Sequence, residues 1–155
     1  MLVPIEEKEL AGIINGESIS IDGFPFEDGA LSRELRESAP LIYNELVHGE
    51  QKGPVGAWAV LERSTGTVIG DVGFVPSANE ENTLKLGYSI VPSMRNRGYG
   101  TLAVGSLLEE VKGKWNIIAE VNTSNTASKK ILAANGFFHV SSEHDMEIWQ
   151  YGVIP

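Results

Sequence analysis

Hydrophobic and polar positions follow a helical period in the first third of this chain. Apolar residues three or four positions apart predict a short helix over residues 4–14, with Pro4 near its start. The same spacing between Asp28 and His48 predicts two helical pieces, because Pro40 lacks the N–H that an uninterrupted helix needs. The turn-rich stretch between these helices is predicted to be loop or edge strand.

The rest of the chain changes to the alternation typical of strands, interrupted by two helices. The predicted elements are a hairpin over 57–61 and 67–74, a strand over 84–91, a helix that begins near Gly100, a strand over 117–121, a helix over 125–134, and strand segments over 137–140 and 146–151. Three strands followed by alternating helices and strands predict an α/β or α+β sheet with helices packed on it. The residues expected on the buried sides of the two helices are Leu102, Ala103, Leu107, Leu108, Val111, Ala127, Ile131 and Leu132.

A pair of glycines lies between the third strand and the first of these helices, in the pattern Arg95-x-x-Gly98-x-Gly100. The first N–H groups of a helix lack intrahelical partners and the helix dipole favours an anion there, so a phosphate group is the natural ligand. Glycines let the backbone approach a diphosphate closely, and Arg95 and Arg97 add charged donors. The candidate diphosphate site comprises Arg95, Asn96, Arg97, Gly98, Tyr99, Gly100 and Thr101.

Other interpretations of the glycine pair are a dinucleotide-binding turn, a nucleoside-triphosphate loop and a tight turn with no ligand. A dinucleotide fingerprint would have its third glycine at Ala103 and an acidic ribose ligand at the end of the next strand, which instead ends in Val121-Asn122. The triphosphate loop is excluded because the chain contains no Gly-Lys-Ser/Thr. The agreement of motif, position and predicted context favours a ligand over an empty turn.

Two further segments follow the glycine turn, and they are Asn122-Thr123-Ser124-Asn125-Thr126-Ala127-Ser128 and Asn135-Gly136-Phe137. With the glycine turn, they make roughly residues 55–150 resemble the Gcn5-related N-acetyltransferase (GNAT) superfamily, and within it the branch of ribosomal-protein alanine acetyltransferases. The resemblance implies a mixed, largely antiparallel central sheet with splayed parallel strands and flanking helices. It also implies a single acyl-CoA N-acyltransferase domain over 1–155, with an amino-terminal helical acceptor-side region over 1–50 and a CoA-binding core over 55–151.

The same resemblance implies transfer of an acetyl group from acetyl-CoA to a primary amine, either a protein N-terminus or a small amine. Backbone N–H groups at Ile90 and Val91 would then bind the pantetheine arm and the thioester oxygen. Asn122 and Asn125 would meet the pantetheine or its phosphates. Asn125 is equally well placed to cap its helix, with Ser128 near the capping-box position.

The sequence offers several candidates for the general acid and the general base. Leu132 and Lys85 stand where members of the superfamily often have a tyrosine acid and a glutamate base, so a non-catalytic acyl-CoA-binding module is the alternative function. Glu120 and Asp71 are candidate bases on predicted strands, although most such carboxylates are structural. Tyr88 is a candidate hydroxyl, although a core aromatic is the commoner role.

Composition narrows the expected partners. The formal net charge of −9 disfavours a nucleic-acid backbone and suits a cationic or amine substrate. Cysteine is absent and the three histidines show no metal-ligand spacing, so no metal site is expected. No run of about 18 apolar residues occurs and the amino terminus does not look like a signal peptide, so we expect a soluble cytoplasmic protein without a membrane partner. A homodimer is left open.

Overall fold

The computed structural model describes residues 1–49, 54–78, 80–111 and 113–152. The helices are α1 (Glu7–Ile14), α2 (Arg33–His48), α3 (Tyr99–Val111) and α4 (Thr126–Ala134). The strands are β1 (Leu2–Pro4), β2 (Ser20–Ile21), β3 (Phe24–Pro25), β4 (Gly56–Glu62), β5 (Thr67–Pro76), β6 (Thr83–Ile90), β7 (Asn116–Asn122), β8 (Phe137–Glu143) and β9 (Met146–Tyr151). In the described parts of the chain, no helix is long and apolar enough to cross a membrane.

Seven strands form one sheet in the order β1-β4-β5-β6-β7-β9-β8, and β2 pairs with β3 in a separate ribbon. The β6–β7 pair is parallel, whereas the other described pairs of this sheet are antiparallel. The α/β sheet that the pattern predicted, and its mixed, largely antiparallel character that the resemblance implied, are therefore confirmed.

Two hydrophobic clusters cover the two faces of the sheet. The cluster beneath α3 and α4 includes Phe74, Leu107 and Leu132, all at most 2% exposed. The cluster beneath α1 and α2 includes Leu10 and Ile42. Fully burying one such side chain contributes about 1.5–3 kcal/mol, so the two clusters hold the helices against opposite faces.

The first residues of the chain form a strand, so the prediction of a helix beginning at Pro4 is wrong. Pro4 pairs with Trp58 at the edge of the sheet, and the helix begins only at Glu7. The neighbouring Ile5 N–H donates to the Ala57 carbonyl at 2.9 Å. Because alternate residues of a strand point their N–H groups to opposite sides, the missing N–H of Pro4 would face away from β4, and proline is tolerated there.

Helix α2 runs without interruption through Pro40, so the predicted division into two helical pieces is wrong. Pro40 and Arg36, whose carbonyl loses its helical donor, are both on the exposed side of the helix, where water can take the donor's place. On the opposite side, Ala39 and Ile42 are buried against the sheet. This packing holds the helix together across the proline.

The buried sides of α3 and α4 also differ from the prediction. Leu102 is 69% exposed, and Val104 is buried in its place. Ala127 is exposed, whereas Leu132 is fully buried. The helices therefore turn a narrower apolar face to the sheet than the spacing of their apolar residues suggested.

Replacing Pro40 with alanine is expected to stabilise the protein. The substitution restores an N–H donor within an exposed turn of α2, where an interior proline costs up to about 3 kcal/mol, and the lost rigidity of the unfolded chain offsets part of the gain. Urea unfolding should give an increase of about 1–2 kcal/mol in the free energy of unfolding. A decrease would show that α2 depends on the proline.

Candidate active site

Strands β6 and β7 are paired over only part of their length. Their parallel register covers Thr83–Asn116, Leu84–Ile117 and Lys85–Ile118, and beyond these pairs the strands separate. We call the resulting gap, between residues 86–90 of β6 and 119–122 of β7, the strand cleft. The splayed parallel strands that the sequence resemblance implied are present at this point.

The backbone groups of β6 alternate between β5 and the strand cleft. The Val91 N–H donates to the Ile69 carbonyl at 2.8 Å, in line with the antiparallel register of β5 and β6. Gly87 and Ser89 therefore also turn their backbone groups to β5, whereas Tyr88 and Ile90 turn theirs to the strand cleft. The predicted donor role of Val91 is wrong because its N–H is already bonded to β5, and the donor role of the Ile90 N–H stays a prediction.

The glycine turn joins the end of β6 to the start of α3. Asn96 and Gly98 have positive φ angles of 62° and 85°. The first bond of α3 runs from the Leu102 N–H to the Gly98 carbonyl at 3.0 Å, so the first N–H groups of the helix have no acceptor within it. Arg97 is exposed beside this helix end.

The two positions in the turn require glycine for different structural reasons. A Cβ at Gly98 would meet no heavy atom within 4 Å, so its positive φ is what requires glycine. A Cβ at Gly100 would lie 2.9 Å from Cδ1 of Ile131, which places Gly100 in the packing of α3 against α4. The structure thus gives Gly100 a packing reason for lacking a Cβ, and contact of its backbone with a diphosphate stays a prediction.

Two side chains of the turn already make hydrogen bonds within the protein. The Arg95 Nε donates to the Ile90 carbonyl at 2.8 Å. The Tyr99 hydroxyl donates to Glu62, and this bond, helped by Ser64, lowers the pKa of Glu62 to about 2. These bonds fix the turn against β6 and against the β4–β5 hairpin, and they leave the exposed Arg97 as the cation best placed to meet an anion.

Asn122, the last residue of β7, and Asn125, three positions later, both make local hydrogen bonds. The side-chain Oδ1 of Asn122 accepts from the Ser124 N–H at 2.9 Å and from the Ser124 hydroxyl at 2.6 Å, so the structure shows Asn122 in a turn role. Asn125 accepts from the Ser128 N–H at 3.1 Å and caps α4. The capping role predicted for Asn125 is confirmed.

Tyr88 and Ser128 connect β6 to α4 beside the strand cleft. Their hydroxyl groups share a short hydrogen bond, and the Tyr88 hydroxyl also lies 3.2 Å from the Ser128 carbonyl oxygen. Burial raises the pKa of Tyr88, with the Ser128 bond opposing it. Ser128 lies one helical turn before Leu132, so these hydroxyls occupy the α4 face on which Leu132 also lies.

A cavity of about 490 Å³, which we call the central cavity, opens beside the strand cleft. Its wall includes all three predicted catalytic residues, Asp71, Tyr88 and Glu120, together with Asn122, Asn125 and Ser128. Acidic side chains from α2, Glu34 and Glu37, complete the wall opposite the sheet. Lys85 also lies there, and its Nζ is 3.5 Å from Glu120. The wall therefore carries more carboxylates than cations.

Asp71 is the most buried carboxylate on this wall, at 6% exposure. The Ser32 hydroxyl donates to its Oδ2 at 2.9 Å and also accepts from the Leu35 N–H at 3.0 Å, which makes Ser32 the N-cap of α2. Burial raises the pKa of Asp71 to about 7, Ser32 opposes the rise, and the charge of Glu34 adds to it. The Asp71 carboxyl can therefore gain and lose a proton near neutral pH.

The sequence profile of the acetyltransferase (GNAT) domain matches residues 2–138. The chain belongs to this family. Among relatives in Bacillus subtilis, the uncharacterized N-acetyltransferase YjdG is 25% identical over 142 residues, which cover 88% of this chain and 77% of YjdG. The uncharacterized N-acetyltransferase YoaA is 29% identical over 83 residues, which cover 52% of this chain. The match spans about half of YoaA, or 47% of its length.

Solved GNAT structures share the fold of this chain. Ribosomal-protein-alanine N-acetyltransferase from Brucella melitensis aligns with a TM-score of 0.67 at 16% identity, over 99% of both chains. YncA from Salmonella typhimurium, a putative acetyltransferase solved with its cofactor acetyl-CoA, aligns with a TM-score of 0.64 at 15% identity, over 97% of this chain and 91% of that one. These similarities establish the GNAT fold.

Two residues that shape this site, Ser32 and Glu62, were missed in the sequence, whereas their partners Asp71 and Tyr99 were predicted. Ser32 and Asp71 are 39 positions apart, and Glu62 and Tyr99 are 37 apart. No local spacing signals either contact. Ser32 alone carried a usable signal, because serine directly before a helical pattern is a common N-cap.

A larger residue at Gly100 should destabilise the packing of α3 on α4. Gly100→Val is expected to lower the free energy of unfolding by about 1–3 kcal/mol, because its side chain overlaps that of Ile131. In an Ile131→Ala background the same substitution should cost at least about 0.5 kcal/mol less. Urea unfolding of all four proteins measures this coupling, and additive effects would place Gly100 outside the interface.

Asp71 should make the protein less stable as pH rises. Its folded pKa of about 7 lies above the ordinary aspartate value of 3.8, so between these values the folded state holds a proton that the unfolded state has released. The contribution of Asp71 to stability is then full below pH 4 and is lost progressively up to about pH 7. Asp71→Asn, which can still accept from Ser32, should be more stable than the wild type at pH 8. Thermal unfolding from pH 4 to 8 checks this, and a less stable variant at pH 8 would contradict it.

Proposed function

We propose that this protein transfers an acetyl group from acetyl-CoA to a primary amine, with the strand cleft as the site of transfer. The observation that carries the proposal is the backbone edge of β6 that faces the strand cleft at Tyr88 and at the Ile90 N–H, which leads directly into the glycine turn and the start of α3. An acyl-CoA is an anion with a long amide-bearing arm. A helix N-terminus followed by an unpaired strand edge is complementary to both parts.

The diphosphate of acetyl-CoA would bind at the start of α3. The first N–H groups of the helix are available there, and Arg97 adds a positive charge. The bonds of Arg95 and Tyr99 to the protein keep the turn in place, so a ligand would meet donors that are already oriented.

The acetyl carbonyl would accept a hydrogen bond from the Ile90 N–H in the strand cleft. Such a donor stabilises the negative charge that develops on the carbonyl oxygen during acyl transfer. Acetyl-CoA supplies the activated acetyl group as a thioester. The Tyr88–Ser128 pair lies beside the same cleft, and its raised pKa keeps Tyr88 protonated and able to give a proton to the departing thiolate.

The acceptor would approach through the central cavity. Its wall carries Glu34, Glu37, Asp71 and Glu120 against Lys85, and Glu37 is paired with Arg33. The carboxylates still outnumber these cations, so a cationic amine is favoured over an anionic substrate. Both a protein N-terminus and a small amine meet this requirement. Four expectations stay predictions. They are a soluble protein, the absence of a metal, a homodimer, and a single domain with an acceptor-side region over 1–50 and a CoA-binding core over 55–151.

The test combines binding and turnover. Calorimetric titration should show acetyl-CoA binding, and thiol release should rise above hydrolysis when primary amines are added. Tight binding without turnover on any amine would favour the non-catalytic acyl-CoA-binding module. No binding at millimolar acetyl-CoA would end the proposal.

Arg97 should contribute to binding of the diphosphate alone. Arg97→Gln is expected to weaken acetyl-CoA binding about tenfold, or about 1.4 kcal/mol, and to leave binding of acetyl-pantetheine, which has no diphosphate, unchanged. Arg36→Gln, at an exposed position on α2, is the matched control and should affect neither ligand. Equal weakening of both ligands by Arg97→Gln would contradict the placement of the diphosphate.

A further inference from the structure

Asp71 lies one strand away from the point where the proposed function places the thioester. In the antiparallel register of β5 and β6, Asp71 is directly opposite Ser89, which stands between Tyr88 and Ile90. Side chains of directly opposed residues leave the sheet on the same face, with Cβ atoms about 5 Å apart. The Asp71 carboxyl is therefore next to the strand cleft, on the face of the sheet that α2 covers.

The α2 face of the sheet is also the face from which an acceptor would arrive. Asp71, Lys85 and Ser89 share it through the β5–β6 register. Glu120 shares it through the Lys85–Ile118 pair and its contact with Lys85. Tyr88 points to the opposite face, toward Ser128 on α4. A group that takes a proton from the acceptor and a group that gives one to the thiolate would therefore lie on opposite sides of the cleft.

Asp71 and Glu120 differ in their surroundings. The Glu120 side chain is 44% exposed and its carboxylate faces the cation of Lys85. Asp71 is almost fully buried and has an oriented hydroxyl donor, Ser32, at one oxygen. A carboxylate has capacity for further hydrogen bonds, so the bond to Ser32 leaves Asp71 able to accept one from an ammonium group.

We propose that Asp71 is the general base of the acetyl transfer and that Ser32 is its positioning residue; this assignment rests on the proposed function. Asp71 takes one proton from the ammonium group of the acceptor and later releases it to solvent. The neutral amine attacks the thioester carbon, a C–N bond forms and the C–S bond breaks. The second proton of the amine leaves as the amide forms and balances the thiolate, which departs as the thiol.

The titration of Asp71 agrees with this role. Its pKa, raised to about 7 by burial, lies near the working pH, where a general base is most effective. The charged groups that share the cavity wall with Asp71 are Glu34 and Glu37 of α2, Lys85 of β6 and Glu120 of β7, and Glu37 is paired with Arg33. Of these, Glu34 raises the pKa of Asp71, whereas the hydrogen bond from Ser32 lowers it.

Two small nucleophiles distinguish a role of Asp71 as general base from a purely structural role. Methylamine is almost entirely protonated at pH 8, whereas hydroxylamine is unprotonated, and both fit a cavity of this size. Asp71→Asn should lower acetyl transfer to methylamine about 100-fold and transfer to hydroxylamine less than about threefold, after subtraction of the uncatalysed reactions. Calorimetric titration with acetyl-CoA shows that the variant still binds the donor, and Asp28→Asn, at an exposed aspartate, is the matched control.

The outcomes distinguish this assignment from the proposed function. Equal losses with both nucleophiles, or no loss with methylamine, would overturn Asp71 as the base. The selective loss in Glu120→Gln instead of Asp71→Asn would assign the base to Glu120 and overturn the proposal. A wild-type protein that binds acetyl-CoA but acetylates neither nucleophile would overturn the proposed function, and the assignment with it.

The pH profile tests Ser32 separately. Removing its hydrogen bond removes an influence that lowers the pKa of Asp71, so Ser32→Ala should move the acidic limb of kcat/KM for methylamine to higher pH. Ser32→Thr keeps the hydroxyl and should restore the wild-type limb. A limb that is unchanged in Ser32→Ala, even if the variant is less stable through loss of the α2 cap, would show that Ser32 has only a structural role.

Discussion

The end of pairing between β6 and β7 is the constraint on which the site depends. After Lys85 and Ile118 the two parallel strands no longer bond to each other, although β6 stays bonded to β5 on its other side. A strand in the middle of a sheet is thereby left with an unpaired edge. Unpaired backbone groups are costly to bury, so this edge is stable only where water or a ligand can reach it. The cleft meets that condition because the central cavity opens beside it.

The separation also divides the chemistry between the two faces of the sheet. On the α3 and α4 face, apolar residues and the Tyr88–Ser128 pair surround the cleft. On the α2 face, carboxylates surround the central cavity, and the cap of α2 is bonded to Asp71. An acyl donor and a cationic acceptor could thus meet across one strand. The price is the burial of Asp71, whose raised pKa makes the folded protein less stable as pH rises toward 7.

Local chemistry explains what could be predicted from the sequence. The β4–β5 hairpin, the glycine turn before α3 and the cap at Asn125 all depend on residues within a few positions of one another. The continuous helix through Pro40, the bonded N–H of Val91 and the packing of Gly100 on Ile131 depend on partners elsewhere in the fold. The Ser32–Asp71 hydrogen bond likewise depends on residues that are distant in the sequence. Periodicity shows which face of an element is apolar but does not show what that face will touch.

Hydrogen exchange of the β6 amides tests the central claim most directly. Without ligand, the amides of Ser89 and Val91 should exchange slowly because they are bonded to β5, and those of Tyr88 and Ile90 should exchange faster because they face the strand cleft. Saturation with acetyl-CoA should slow Ile90 at least tenfold and leave Val91 nearly unchanged. Equal protection of all four amides before acetyl-CoA is added, or an Ile90 rate that acetyl-CoA does not change, would contradict the account.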